Sequence, residues 1–337
     1  MGPAIGCYTI EISICTMGKA HHPRRGSLQY CPRARAKKSL ARIGSWAHEG
    51  QTKPLGFIGY KAGMAHLQII DNRPKSLTKG EKVMIATTVM DCPPLLVIGV
   101  VFYKNTIYGL QKIYSWYVPK LSKEMSRKFA VAKKSSEMKE PASFDDLRLL
   151  VQSQPRLTTT GSKKPKVMEL PVGGNKESRL GYVKNMLGKE LSVSDVFDKG
   201  VLVDVHGITK GKGFQGTVKR YGVPIRHHKS EKTKRGIGTL GAWTPKRVDF
   251  RTAQPGKMGY HLRTDYNKQI IKIGISGEEI NPSGGIPHYG LVRNTYLFLK
   301  GSVIGPKRRA IVLTKSIRPR SDIPRDAPEI AFTSKVA

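Results

Sequence analysis

Residues 207–268 carry fifteen Lys or Arg against three Asp or Glu, and no apolar residues recur there at the spacing of a helix face or a strand face. Glycines are scattered through the stretch, and Pro224, Pro245 and Pro255 interrupt any regular element. Such a segment cannot bury enough apolar surface to offset the entropy lost on ordering. By itself it predicts a disordered loop. If it takes one shape, a polyanion must supply the contacts that a core does not.

The rest of the chain points the same way. Its 337 residues carry a formal net charge of +35, which would work against a free compact protein through self-repulsion. Nucleic acid removes that problem by phosphate neutralisation and counterion release. An anionic membrane is the competing partner, but no amphipathic basic helix with a Trp/Leu face is present. Cys7, Cys15, Cys31 and Cys92 form no CxxC pair and no zinc spacing, so they read as reduced thiols. No apolar run is long enough to cross a membrane. Residues 1–16 are mildly apolar, make a poor signal peptide and differ in character from the basic residues after them, so they read as a leader or an upstream extension before a start at Met17.

Residues 17–53 form a second basic tract, with nine Lys or Arg against Glu49. Pro23, Pro32, Gly26 and Gly44 break it, and Tyr30 and Trp46 have no evident core around them. It reads as an arm extended along RNA. At Pro54 the character changes. Residues 55–71 predict two short strands around a turn at Lys61-Ala62-Gly63, and further strand-like runs stand at 81–92, 95–103 and 106–118. Their close succession suggests a small closed β-barrel. From 120 to 199 the pattern is α+β. Leu121, Met125, Phe129 and Val131 lie near one helix face. Ser143 reads as the N-cap of a helix over 143–155. Residues 167–174 read as a strand, and a helix after 176 leads to a second, shorter one capped at Ser194-Asp195. Residues 201–209, 269–275, 291–303 and 309–317 return to strand and would close the barrel, leaving 318–337 as a surface tail.

Gly211-Lys-Gly213-Phe-Gln-Gly216 matches GxGxxG after a strand. A dinucleotide turn must open a helix and meet an acid about twenty residues on. Here TVKRYGVP cannot make a useful helix, and the basic run Lys232 to Arg235 stands where the acid belongs. There is no GK[ST] for a phosphate-binding loop either. The glycines read better as backbone that passes close to phosphates beside Lys210 and Lys212. His227-His228 have no further ligand nearby, so RNA contact outweighs metal. Trp243 stands between glycines and Pro245-Lys246-Arg247, where no core forms, and suits stacking on a base. No GxSxG, HExxH or other catalytic signature appears, so the chain does not read as an enzyme, and no cofactor or metal is expected.

HGITKGKGFQGTVKRYG, GTLGAWTPKRVDFRTAQPGKMGYHLRT, HHPRRGSL and GFIGYKAGM together resemble the universal ribosomal protein L3 family of the large subunit, in its archaeal type, over about Met17 to Ile317. The resemblance implies a mainly β fold: a translation-protein-type closed β-barrel with an inserted α+β domain and long basic N-terminal and loop extensions. The corresponding divisions are an extension over 1–16, an arm over 17–53, barrel over 54–119, insertion over 120–199, a barrel strand over 200–206, an RNA-threading loop over 207–263, barrel over 264–317 and a tail over 318–337. It also implies a cytoplasmic ribosomal component that binds large-subunit rRNA near its 3′ end, helps nucleate assembly and extends its loop towards the peptidyl-transferase centre. The implied protein neighbours are uL14 and an L24e-type protein. The eukaryotic pattern has a histidine where Lys234 stands, so no modification of that histidine carries over.

RNA contacts are expected from the arm and from both halves of the loop. In the arm they come from Lys19, Arg24, Arg25, Arg33, Arg35, Lys37 and Lys38. In the first half of the loop they come from Lys210, Lys212, Lys219, Arg220, Arg226, His227, His228, Lys229, Lys232, Lys234 and Arg235. In the second half they come from Trp243, Lys246, Arg247, Arg251, Lys257, His261 and Arg263. Two other classes stay open, an enzyme acting on RNA and a binder that leaves the ribosome.

Overall fold

The computed structural model describes residues 23–119, 121–130, 138–141, 143–230 and 232–336. Lys19, Val131, Cys7, Cys15 and the extension over 1–16 lie outside them. The chain divides into two compact units, a body of Arg35–Gly211 with Gly259–Ala337 and a smaller unit of Met1–Ala34 with Lys212–Met258. The protein is mainly β. In chain order the strands are β1 Gly56–Ile70, β2 Lys82–Asp91, β3 Leu95–Thr106, β4 Gly109–Tyr117, β5 Asp146–Gln152, β6 Val167–Pro171 and β7 Glu190–Leu191. Next come β8 Leu202–Ile208, β9 Phe214–Gln215, β10 Gly256–Lys257, β11 Leu262–Gly274, β12 Tyr296–Lys300, β13 Ala310–Lys315 and β14 Ile330–Thr333. The helices are α1 Lys176–Met186 and α2 Thr217–Tyr221.

In the body, antiparallel pairings run β13-β8-β11-β12-β2-β1-β14, and β13 pairs β1 as well. The side chains explain the ladder. β8 is buried along its whole length, as a strand covered on both faces must be. Its polar members are satisfied: the Asp204 carboxylate accepts from the Asn267 and Ile317 amides, and His206 lies 3.0 Å from both Thr264 Oγ1 and Thr314 Oγ1. Burial pushes the His206 imidazole down, opposed by nearby Asp204. The second half of β1 alternates, with Ala65, Leu67 and Ile69 inside and Met64 and His66 outside.

A second sheet runs β4-β3-β5-β6, with β7 on β3. The strands expected at 95–103 and 106–118 therefore belong to this sheet and not with β1 and β2. The two sheets are stitched in register where Leu55 N–H donates to the Pro171 carbonyl and Pro54 bridges Val172.

Several expectations are corrected. Residues 55–71 make one long strand, because Ala62 is accommodated as a bulge between the pairs Lys61↔Met90 and Gly63↔Val89. The helix expected after Ser143 is β5: Leu147, Leu149 and Val151 face the main core at period two, which overrides the acidic first turn. Around Leu121, Met125 and Phe129 only the 3₁₀ turn Lys123–Arg127 forms, yet these three side chains do share a small core with Ile98, Val101 and Leu150. No helix forms after Ser194-Asp195. Asp195 Oδ2 accepts from the Ser192 amide, and a turn on the Val193 carbonyl takes its place. The expected tail contains β14, which pairs β1 from Leu67↔Thr333 to Ile69↔Ile330. Trp46 is not a coreless arm aromatic. It packs against the main core, and a Cβ on Gly56 would lie 2.9 Å from its ring.

Candidate nucleic-acid interface

The smaller unit has an unusual interior. Among its described residues only Thr217 is buried, and no apolar side chain is. What holds it are backbone pairs and arginines. The loop starts as a ladder: β9 pairs β10 through Gly256↔Gln215 and Lys257↔Phe214, and Lys212 and Met258 extend it with 2.9 Å bonds to Met258 and Gly213. α2 comes next and ends at Gly222, whose left-handed φ of 69° suits a glycine C-cap.

Tyr221 at the end of α2 is the unit's organising ring. The Arg33 guanidinium lies 4.2 Å over it and Arg220 lies 5.1 Å from its centroid. Gly26 presses on it so closely that a Cβ there would stand 2.3 Å from Tyr221 Cδ1. Arginine side chains then clasp carbonyls. Arg220 Nη1 donates to Gln254 O at 2.6 Å and Arg24 Nη2 to Arg251 O at 2.6 Å. Thr217 Oγ1 ties α2 to the Arg235 carbonyl. Arg33 and Arg220 are thus half-buried and committed to the unit itself.

The remaining described residues of this unit that are named from sequence face outward. Arg24, Arg25, Lys212, Lys219, Arg226, Lys229, Lys232, Lys234 and Arg235 are exposed, as are Arg247, Arg251 and Lys257. His227 and His228 are exposed with ring centroids 4.1 Å apart, and the Lys229 amide donates to His227 Nδ1. Among the described residues no three His, Cys, Asp or Glu side chains converge as a metal site would require. Trp243 is 82% exposed. Lys246, three residues on, has φ 56° and returns its ammonium to 5.4 Å from the indole. Phe214 and Phe250 are exposed to a similar degree, at 73% and 74%. Neither is among the residues named from sequence, although each shows the signal that singled out Trp243, an aromatic inside a basic run without apolar periodicity. Of the GxGxxG glycines, Gly213 and Gly216 have nothing within 4 Å of where a Cβ would be, so backbone is open to a ligand there. The five-residue α2 removes the dinucleotide alternative.

The other named residues lie on the body. Arg35 sits 5.4 Å from the Tyr260 ring, whose carbonyl accepts from the Ala36 amide, and Lys37, Lys38 and Lys210 are exposed. Arg263 is half-buried with Nη1 on the Leu262 carbonyl. His261 is buried at 8%, and its amide donates to Thr209 Oγ1 at 3.1 Å.

Comparison with known proteins gives a consistent result. The family model described as Ribosomal protein L3 matches residues 16–146 and 134–335. A large ribosomal subunit protein uL3 of Methanocaldococcus jannaschii is 43% identical over 326 residues, covering 93% of this chain and 96% of the relative. The protein of the same name from Archaeoglobus fulgidus is 44% identical over 89% of this chain and 93% of its own length. That from Methanopyrus kandleri is 41% identical over 94% and 91%.

Proposed function

The chain belongs to the ribosomal protein L3 family, and on that premise we propose that it is a structural, non-enzymatic component of the large ribosomal subunit that binds rRNA through its arm and loop. One observation carries this reading: the arm–loop unit exposes a dense set of cations around an interior without a single buried apolar side chain among its described residues. Such a unit gains its stabilising contacts from outside, and phosphates are the partner that satisfies them. The finer reading rests on the family resemblance. The protein binds near the 3′ end of large-subunit rRNA in the cytoplasm and helps nucleate assembly. Its loop tip approaches the peptidyl-transferase centre, and uL14 and an L24e-type protein are its neighbours. The body is read as a translation-protein-type barrel, supported by the return pairing of β13 to β1. The α+β insertion is read between its halves.

The test is the salt dependence of binding to transcribed large-subunit rRNA. With ~8 phosphate contacts the log–log slope is about −5 to −7. A slope near zero overturns the reading. Release from ribosomes in a high-salt wash would instead favour a factor that cycles on and off.

A further inference from the structure

The body carries its own excess of positive charge, far in sequence from the loop. The 3₁₀ turn Lys123–Arg127 is seated by Met125, which is fully buried against Ile98, Val101 and Leu150. This seating aims the rest of the turn outward. A second 3₁₀ turn, Pro155–Leu157, stands beside it, tied by Arg156 Nη1 to Glu124 Oε1 at 3.7 Å. Between them is an open groove of about 470 Å³, lined by Lys123, Arg127, Arg156 and Lys163 with Ser126 and Glu124. Its one carboxylate is already engaged, and no apolar side chain lines it.

The charge continues beyond the groove. Lys128 directly succeeds the first turn, and Lys163 and Lys164 are exposed in the segment before β6. Pro165 between them and β6 is buried, which fixes that segment, and Lys166 donates its ammonium to Ser39 Oγ at 3.0 Å. Burial first, then Lys164 and Lys38, push the Lys128 ammonium below its ordinary range. Burial first, then Lys128, Lys164 and Arg309, do the same to Lys166. The charges that shift these two are of their own sign. Among the described residues the groove sets four cations against Glu124 alone, a standing repulsion relieved by a regularly charged polyanion.

We propose that this groove and the adjoining Lys128, Lys163 and Lys164 form a second RNA-phosphate site, carried by the body. It rests on the reading of the chain as an rRNA-binding protein. A folded protein partner suits the groove poorly, because protein interfaces are anchored by aromatic or apolar side chains in pockets and the lining offers none.

The test uses the full chain with and without transcribed large-subunit rRNA, with acetylation of each lysine read by mass spectrometry. Lys128, Lys163 and Lys164 are expected to be shielded by the RNA along with Lys232 and Lys234 of the loop. In parallel, the triple variant Lys128→Glu, Lys163→Glu, Lys164→Glu should reduce the steepness of the salt dependence by about 2, at ~0.7 per lost phosphate contact. Shielding of Lys232 and Lys234 alone, with an unchanged slope in the triple variant, overturns this site and leaves the loop reading intact. Shielding of no lysine removes both. Shielding of Lys128, Lys163 and Lys164 by poly-glutamate and not by rRNA assigns the groove to an acidic protein segment and overturns the proposal as well.

Discussion

Single residues divide between those whose role their neighbours in sequence reveal and those whose role depends on distant ones. Trp243 is of the first kind: glycines before it and Pro-Lys-Arg after it leave no core, and the ring is exposed. Trp46 is of the second. It sits in an equally basic tract, but Gly56 and the main core close around it from further along the chain. Trp243→Ala should still assemble into large subunits, since one stacking ring contributes about 1–3 kcal/mol and most of the binding free energy is spread over the many Lys and Arg contacts. It should alter peptide-bond formation in reconstituted subunits. Loss of incorporation into subunits would instead make the residue structural. Asp91 could not be read from sequence at all. It is buried, accepts from Tyr289 Oη at 2.6 Å and from Asn294 Nδ2 at 3.1 Å, and burial outweighs these donors to push its carboxyl up to about 6. The folded state thus holds this proton more tightly than the unfolded chain. Its stabilising effect is complete below pH about 4 and lost as pH rises to about 6. The loss is about 3 kcal/mol. Urea midpoints at constant ionic strength, compared between the wild type and Asp91→Asn, should show the wild type losing stability relative to the variant over that window, while His206, whose imidazole burial pushes down, contributes the opposite trend to both. An identical fall in both would show that another group titrates.

At the scale of elements, strands are legible where apolar residues alternate or run together, as in β1, β8 and β13. They are hidden where a local helix signal competes. Ser143 with two acids looks like a helix start, but the period of Leu147, Leu149 and Val151 decides in favour of β5, since packing on β3 and β6 outweighs a cap. β14 is hidden for a different reason: three prolines precede it, and its partner β1 lies some 260 residues earlier in the chain. The foot of the loop shows how tightly two passing chains can be held. Gly259 has φ +75°, and a Cβ there would stand 2.1 Å from the Lys210 carbonyl oxygen. Gly259→Ala should destabilise by about 2–5 kcal/mol, the left-handed conformation and the collision adding together. Gly213→Ala shares only the first penalty, because nothing lies within 4 Å, and should cost about 1–2 kcal/mol. Equal urea midpoints for the two variants would show that the close approach at Gly259 does not constrain the loop.

For the whole molecule, the division into a cored body and an uncored cationic unit is visible in outline from sequence, because apolar periodicity stops and restarts at the loop. The place where the arm changes allegiance, between Ala34 and Arg35, is not visible, since the charge is even across it. The unit's reliance on arginine–carbonyl bonds in place of apolar burial has a measurable result. Without RNA, trypsin should cut within 23–34 and 212–258 well before the body, and assembly into subunits should suppress those cuts. Equal cleavage in both states would mean that RNA does not order the unit. The pairing of β1 with β13, Gly56 against Thr314 through Tyr60 against Ala310, bears on how such a chain comes into being. During translation β1 is made first among the strands and must wait for about 250 residues before its partner exists, and β14 comes later still. The loop, made between them, emerges with its full charge while β1 still lacks one of its neighbours. The nascent chain therefore meets the polyanions of the cell before its fold is finished, and the order of synthesis exposes its most adhesive segment at its least protected moment.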